Sequence, residues 1–120
     1  MLVRDITNKL RRAITYRSRL VIYDILDNYD YDINSIDKYG RTLLMLAIEA
    51  RMPDIAAIII TKCANINQKD ANGRTALIYS VLCDMPDITN KLMNNRDVDH
   101  NIIDNMGNDA AHYMAMFAKN

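Results

Sequence analysis

Part of this chain repeats itself every 33 residues, and a period of that size confines the fold to stacked units that cannot bury their apolar faces alone. Asp37-Lys-Tyr-Gly40-Arg41-Thr42 aligns with Asp70-Ala-Asn-Gly73-Arg74-Thr75, and Met52-Pro53-Asp54-Ile55 aligns with Met85-Pro86-Asp87-Ile88 in the same register. A third copy opens at Asp104-Asn-Met-Gly107, one residue late, which puts an insertion near Arg96-Asp97. Asp32-Ile33-Asn34 precedes Asn65-Ile66-Asn67 by one period and marks a divergent first unit. The divisions are therefore 1–36, 37–69, 70–103 and a truncated 104–120, all within one domain.

Local signals make each unit two helices and a turn. Thr42 and Thr75 are expected to N-cap helices, their hydroxyls accepting from free first-turn amides. Leu43, Leu44, Ala47 and Ile48 recur at helical spacing, as do Leu77, Val81 and Leu82. Pro53 and Pro86 suit the first turn of a second helix, and Asp54 and Asp87 suit its positive end. The second helices should bury Ile55, Ile58 and Ile59 in one unit and Ile88, Leu92 and Met93 in the next. Ile6, Leu10, Ala13 and Ile14 form one apolar stripe of the first unit; Ile22, Ile25 and Leu26 form another. None of these helices is long enough to be stable in isolation, so stacking must hold them.

The pattern resembles the ankyrin repeat, whose units run D-x-x-G-x-T-P-L-H-x-A, a second helix, then G-A-D-h-N. The resemblance implies an all-α solenoid of stacked helix-turn-helix units joined by hairpin loops. Leu43, Ala76 and Ala110 replace its proline, and its histidine survives as His112, which the resemblance assigns a structural hydrogen bond. The family glycine after the second helix falls on Cys63 and near Asn95, where a left-handed backbone would strain Cys63 and suit Asn95. Asn34, Asn67 and Asn101 match the hairpin asparagine that ties neighbouring turns.

Little in the chain suggests catalysis. His100, expected to be half-exposed, and His112 are the two imidazoles, and in the repeat register neither lies near Cys63 or Cys83. The two cysteines give no disulfide framework or metal-ligand spacing and are expected to stay free thiols. Gly40, Gly73 and Gly107 are taken up by the repeat turn, leaving none for a phosphate loop. Asp27, Asp30 and Asp32 lack the spacing and the central glycine of a calcium loop. Neither a cofactor nor a metal is expected.

Fifteen basic residues balance fifteen acidic ones, so no overall field draws the chain to nucleic acid or an anionic membrane. The charge is uneven: Arg4, Lys9, Arg11, Arg12, Arg17 and Arg19 face only Asp5 within residues 1–20. That cluster lacks the aromatic platform of a nucleic-acid surface and reads as a solvated face. No apolar run is long enough to span a bilayer or act as a signal segment, and a cytoplasmic setting is expected.

The ankyrin resemblance therefore implies a module, an adaptor or inhibitor, that grips another protein with its hairpin tips and the concave face of its first helices. Carried over position by position, those sites are Lys38, Tyr39, Arg41, Glu49 and Ala50, then Ala71, Asn72, Arg74, Leu82 and Cys83, then Asn105, Met106, Asn108, Met116 and Phe117. For Leu82, Met116 and Phe117 ordinary core packing is an equal alternative. The other reading is a structural building block. The third copy stops after its first helix, so Ala111, Met114, Ala115 and Phe117 should need cover from a partner, further chain, or a second copy meeting it head to head as a homodimer.

Overall fold

The computed structural model describes residues 2–62 and 65–118. Among these residues seven helices follow one another: α1 Val3–Thr15, α2 Arg19–Asn28, α3 Leu43–Glu49, α4 Pro53–Lys62, α5 Ala76–Leu82, α6 Pro86–Met93 and α7 Ala110–Phe117. Each odd-numbered helix packs on the even one after it, giving three helix pairs and a lone α7. The odd helices α1, α3, α5 and α7 stack in sequence to form one layer of the solenoid. In the other layer α4 packs against α6, whereas α2 stands back from α4 and reaches it through side chains. The stack is elongated, 47 × 26 × 23 Å.

Burial follows each helix's place in the stack. Every residue of α3 from Leu43 to Ile48 is buried, because α1, α4 and α5 enclose it on three sides. Helix α7, packed on α5 alone, buries only Ala110 and Tyr113. The α1 and α2 stripes are buried as expected, so residues 3–28 form a full helix pair despite their divergence. Ile55, Ile59, Ile88 and Leu92 are likewise buried. Ile58 is only half-buried and Met93 is 38% exposed, on the face of α6 that no helix covers.

The expected caps form. Thr42 Oγ1 accepts the Met45 amide at 3.1 Å and Thr75 Oγ1 the Ile78 amide at 3.3 Å. Asp109 takes the same role for α7, accepting from the His112 amide at 2.9 Å, while the His112 ring returns a bond to Asp109. His112 thus bonds within its own repeat; His100 is exposed rather than half-exposed.

Among the described residues the left-handed backbone of non-glycine residues falls between the helices of each pair and not at Asn95. Asn95 keeps an ordinary backbone and uses its side chain to hold the Asp97 amide; Cys63 lies outside the described residues. Arg17, Arg51 and Asp84, in the turn between the two helices of each pair, have φ of 60°, 56° and 53°. Each turn closes by two backbone bonds, as in Arg51 N–H to Ile48 C=O and Met52 N–H to Ala47 C=O. This wrapping of the last carbonyls demands a left-handed residue and usually selects glycine.

Candidate functional site

Three projecting turns define one side of the solenoid, and an aspartate organises each. Asp37 Oδ1 accepts the amides of Tyr39 and Arg41 at 2.9 and 2.8 Å. Asp70 does the same for Asn72 and Arg74, and Asp104 for Met106 and Asn108. Glycine stands three residues after each aspartate, at φ of 76°, 76° and 82° for Gly40, Gly73 and Gly107. Successive turns then join edge to edge: the Ala71 amide donates to Tyr39 C=O at 2.8 Å and the Asn105 amide to Asn72 C=O at 2.9 Å. Asn105 Nδ2 adds a bond to Ala71 C=O. Lower in the hairpins, Asn67 donates to Asp97 C=O and accepts the Asp99 amide, both at 2.8 Å, so this asparagine does tie neighbouring loops. The expected tie at Asn34 falls on residues 63–64, outside the described residues. Asn101 is exposed.

The second carboxylate oxygen of each aspartate has a different partner. In the first turn Arg41 Nε donates to Asp37 Oδ2 at 2.8 Å, and its Nη1 reaches Glu49 at 3.4 Å. In the other two, a tyrosine hydroxyl occupies the place: Tyr79 donates to Asp70 and Tyr113 to Asp104. Burial, then the bond to Asp70, pushes the Tyr79 hydroxyl far above the usual tyrosine range. Burial alone would raise Asp104, but the Tyr113 hydroxyl, the Asn108 and Met106 amides and the Arg74 charge hold it below the usual carboxylate range. The tyrosines stand nine residues after their aspartates in both repeats, a shared spacing that could have revealed them. Leu46 occupies that position in the first of the three turns, where Arg41 substitutes.

Six of the surface residues read from the sequence come together, Ala71 and the five that follow. Tyr39, Arg41, Glu49, Asn72 and Arg74 line one cleft of about 320 Å³ between the first two turns, with Asp70 and Tyr79 in its wall. Tyr39 is 53% exposed, and its ring lies 5.1 Å from Lys38 Nζ and 5.2 Å from Arg41 Cζ.

The others lie elsewhere. Met106, 77% exposed, projects from the third turn, while the Asn108 amide is engaged by Asp104. Leu82 is half-buried and shares a smaller recess with Val81, Asp84 and Phe117. Phe117 and Met116 are about half-exposed rather than core. Phe117 and Met114 of α7 also form one wall of a groove of about 290 Å³, with Thr89 and Met93 of α6 and Met85 just before that helix opposite.

A family model for ankyrin repeats, in three copies, matches residues 10–104. The chain belongs to the ankyrin-repeat family. Compared with curated proteins, it matches none. Ankyrin repeats are in general protein–protein interaction modules and typically not enzymes.

Among the described residues, no three His, Cys, Asp or Glu side chains are grouped to hold a metal ion, and no helix is long and apolar enough to cross a membrane. Cys83 is a free, half-buried thiol at the end of α5, and burial pushes its pKa up. Part of the basic cluster of the first ankyrin unit is already engaged within the chain. Arg11 bonds Asn8 and Ser35, and Arg19 pairs with Asp54 at 3.2 Å.

Proposed function

We propose that this ankyrin-repeat chain binds another protein through the cleft between its first two turns, with Tyr39, Arg41, Glu49, Asn72 and Arg74 as the contact residues and Lys38 at the rim. The observation that carries the reading is convergence. These residues, from two repeats and separated in sequence, line a single cleft on the side that the turns and odd-numbered helices share. A partly exposed tyrosine flanked by two cations, beside a second arginine, has the residue types that interface centres favour. Holding such a partner, the chain would act by occupancy, as an adaptor or an inhibitor.

The test is affinity capture from the native cell with the wild-type chain and a Tyr39→Ala/Asn72→Ala double variant. Both residues engage neighbouring turns only through backbone carbonyls, so the variant keeps the fold. The expected result is a protein retained by the wild type and lost by the variant. A protein retained equally by both would contradict the reading.

A second reading has its own observation. The α6–α7 groove leaves Met93, Met114 and Phe117 without a covering helix, and apolar surface left in water forgoes stabilisation of roughly 1.5–3 kcal/mol per large side chain. Self-association through it would be two-fold, since like faces meet. Sedimentation velocity should then show a concentration-dependent dimer that Phe117→Asp abolishes. A monomer at every concentration would end this reading.

A further inference from the structure

Arg74 is the repeat counterpart of Arg41, 33 residues further on, but it has neither of Arg41's partners. Arg41 is held by Asp37 Oδ2 and Glu49. At Arg74 the matching oxygen, Asp70 Oδ2, is occupied by the Tyr79 hydroxyl, and Oδ1 is committed to two amides. The register mate of Glu49 is Leu82. Asp104 feels the Arg74 charge, yet its oxygens serve Met106, Asn108 and Tyr113. Among the described residues the Arg74 guanidinium makes no ion pair, and its Nε is buried without a hydrogen-bond partner. Its two Nη nitrogens are unbonded too but not buried, so the open end of the fork is available in the cleft.

An unsatisfied guanidinium is an unfavourable arrangement in a part-buried site, and a planar fork with two free donors matches a carboxylate approaching end-on. Glu49 on the same wall makes a single negative charge a better fit than a doubly charged phosphate. The Tyr39 ring supplies an apolar wall for a short methylene stem, and Lys38 and Arg41 beside it add positive charge at the rim. We infer that Arg74 is the anchor for an acidic side chain, Asp or Glu, of the bound protein, which takes the place that Asp37 and Glu49 fill for Arg41. This rests on the reading of the cleft as the partner surface and adds the partner's chemistry to it.

The direct test follows the arginine Nε–H resonances by NMR during titration with acetyl-glutamate N-methylamide, with acetyl-glutamine N-methylamide and phenyl phosphate as comparison probes. The expected result is a saturable shift at Arg74 from the glutamate probe, none from the glutamine probe, and loss of binding in Arg74→Gln with partial retention in Arg74→Lys. Arg74 makes no side-chain bond within the described fold, so these variants should stay folded. An absent shift, an equal shift from the glutamine probe, stronger binding of phenyl phosphate, or unchanged binding by Arg74→Gln would each overturn the assignment. Selection from a random displayed peptide library separates this inference from the reading beneath it. Peptides that Tyr39→Ala releases should share an acidic residue and weaken roughly tenfold or more on Arg74→Gln. Cleft-binding peptides without an acid would overturn the role of Arg74 while the cleft remained a binding surface. Failure to obtain any cleft-binding peptide would count against the cleft itself and leave Arg74 to the titration.

Discussion

Arg17, Arg51 and Asp84 hold the same place in three helix pairs, each in a left-handed backbone that L-residues adopt at a cost of roughly 1–2 kcal/mol. Arg51 recovers something by donating from Nη1 to Cys83 C=O at 2.6 Å; Arg17 makes no side-chain bond to the described residues. Arg17→Gly is therefore expected to stabilise the chain by about 0.5–1 kcal/mol, read as a higher denaturant midpoint, and an unchanged or lower midpoint would count against the strain. The turn glycines give a paired experiment. A Cβ on Gly73 would lie 2.6 Å from Asn105 Oδ1 and 2.9 Å from the Asn105 backbone nitrogen, whereas one on Gly107 meets nothing within 4 Å. Both alanine variants carry the left-handed penalty, but only Gly73→Ala also pushes apart two turns. It should be the more destabilising of the two in thermal melts, and equal losses would show that turn-to-turn contact contributes little. The glycines were legible because they recur with Asp and Thr at fixed spacing. The inter-helix left-handed residues were not, because arginine and aspartate carry no local sign of that backbone when the usual glycine is missing.

The seam between α2 and α4 depends on one carboxylate. Asp54 accepts from Arg19 Nε and Nη2 at 3.2 and 3.3 Å and from the Tyr23 hydroxyl at 2.8 Å, and it stands at the start of α4. The Arg19 bond is the chief cause that lowers the Asp54 pKa to about 2, with Tyr23 and the Ile55 amide assisting against burial. A folded pKa below the unfolded value of about 3.9 gives stability that is fully present above pH ~4 and is lost as pH falls toward 2. Since both side chains are about two-fifths exposed, solvent screening limits the contribution to under about 1 kcal/mol. Asp54→Asn should lower stability at pH 6 by a fraction of that and flatten the acid limb of a stability-against-pH curve. An acid limb unchanged in the variant would place the sensitivity at Asp37, Asp104 or Asp109, whose pKa values are also lowered. At this scale the sequence was most informative, because apolar spacing, Thr42, Thr75, Pro53 and Pro86 mark helix starts and buried faces directly. Its error at Met93 has a physical cause: periodicity says which residues share a face, while exposure depends on whether a neighbouring helix covers that face.

Across the whole molecule the solenoid has two unlike surfaces, a polar cleft built around Tyr39 and Arg74 and an apolar groove between α6 and α7. Of the residues read from the sequence as one binding set, part line the cleft, Phe117 lines the groove and Met106 projects from the third turn, since family register tells which positions face the concave side but not which of them share a recess. The missing partner of Arg74 could not be read from the sequence either. It follows from Tyr79 reaching Asp70 and from Leu82 standing where Glu49 stands one repeat earlier. The most direct test of the cleft as the partner surface is hydrogen–deuterium exchange on the chain alone and in complex with the protein it captures. The account predicts that slowed exchange concentrates in the turns at 37–41 and 70–74 and at the adjoining ends of α3 and α5. Slowing confined to α2, α4 and α6, or to α7, would contradict it.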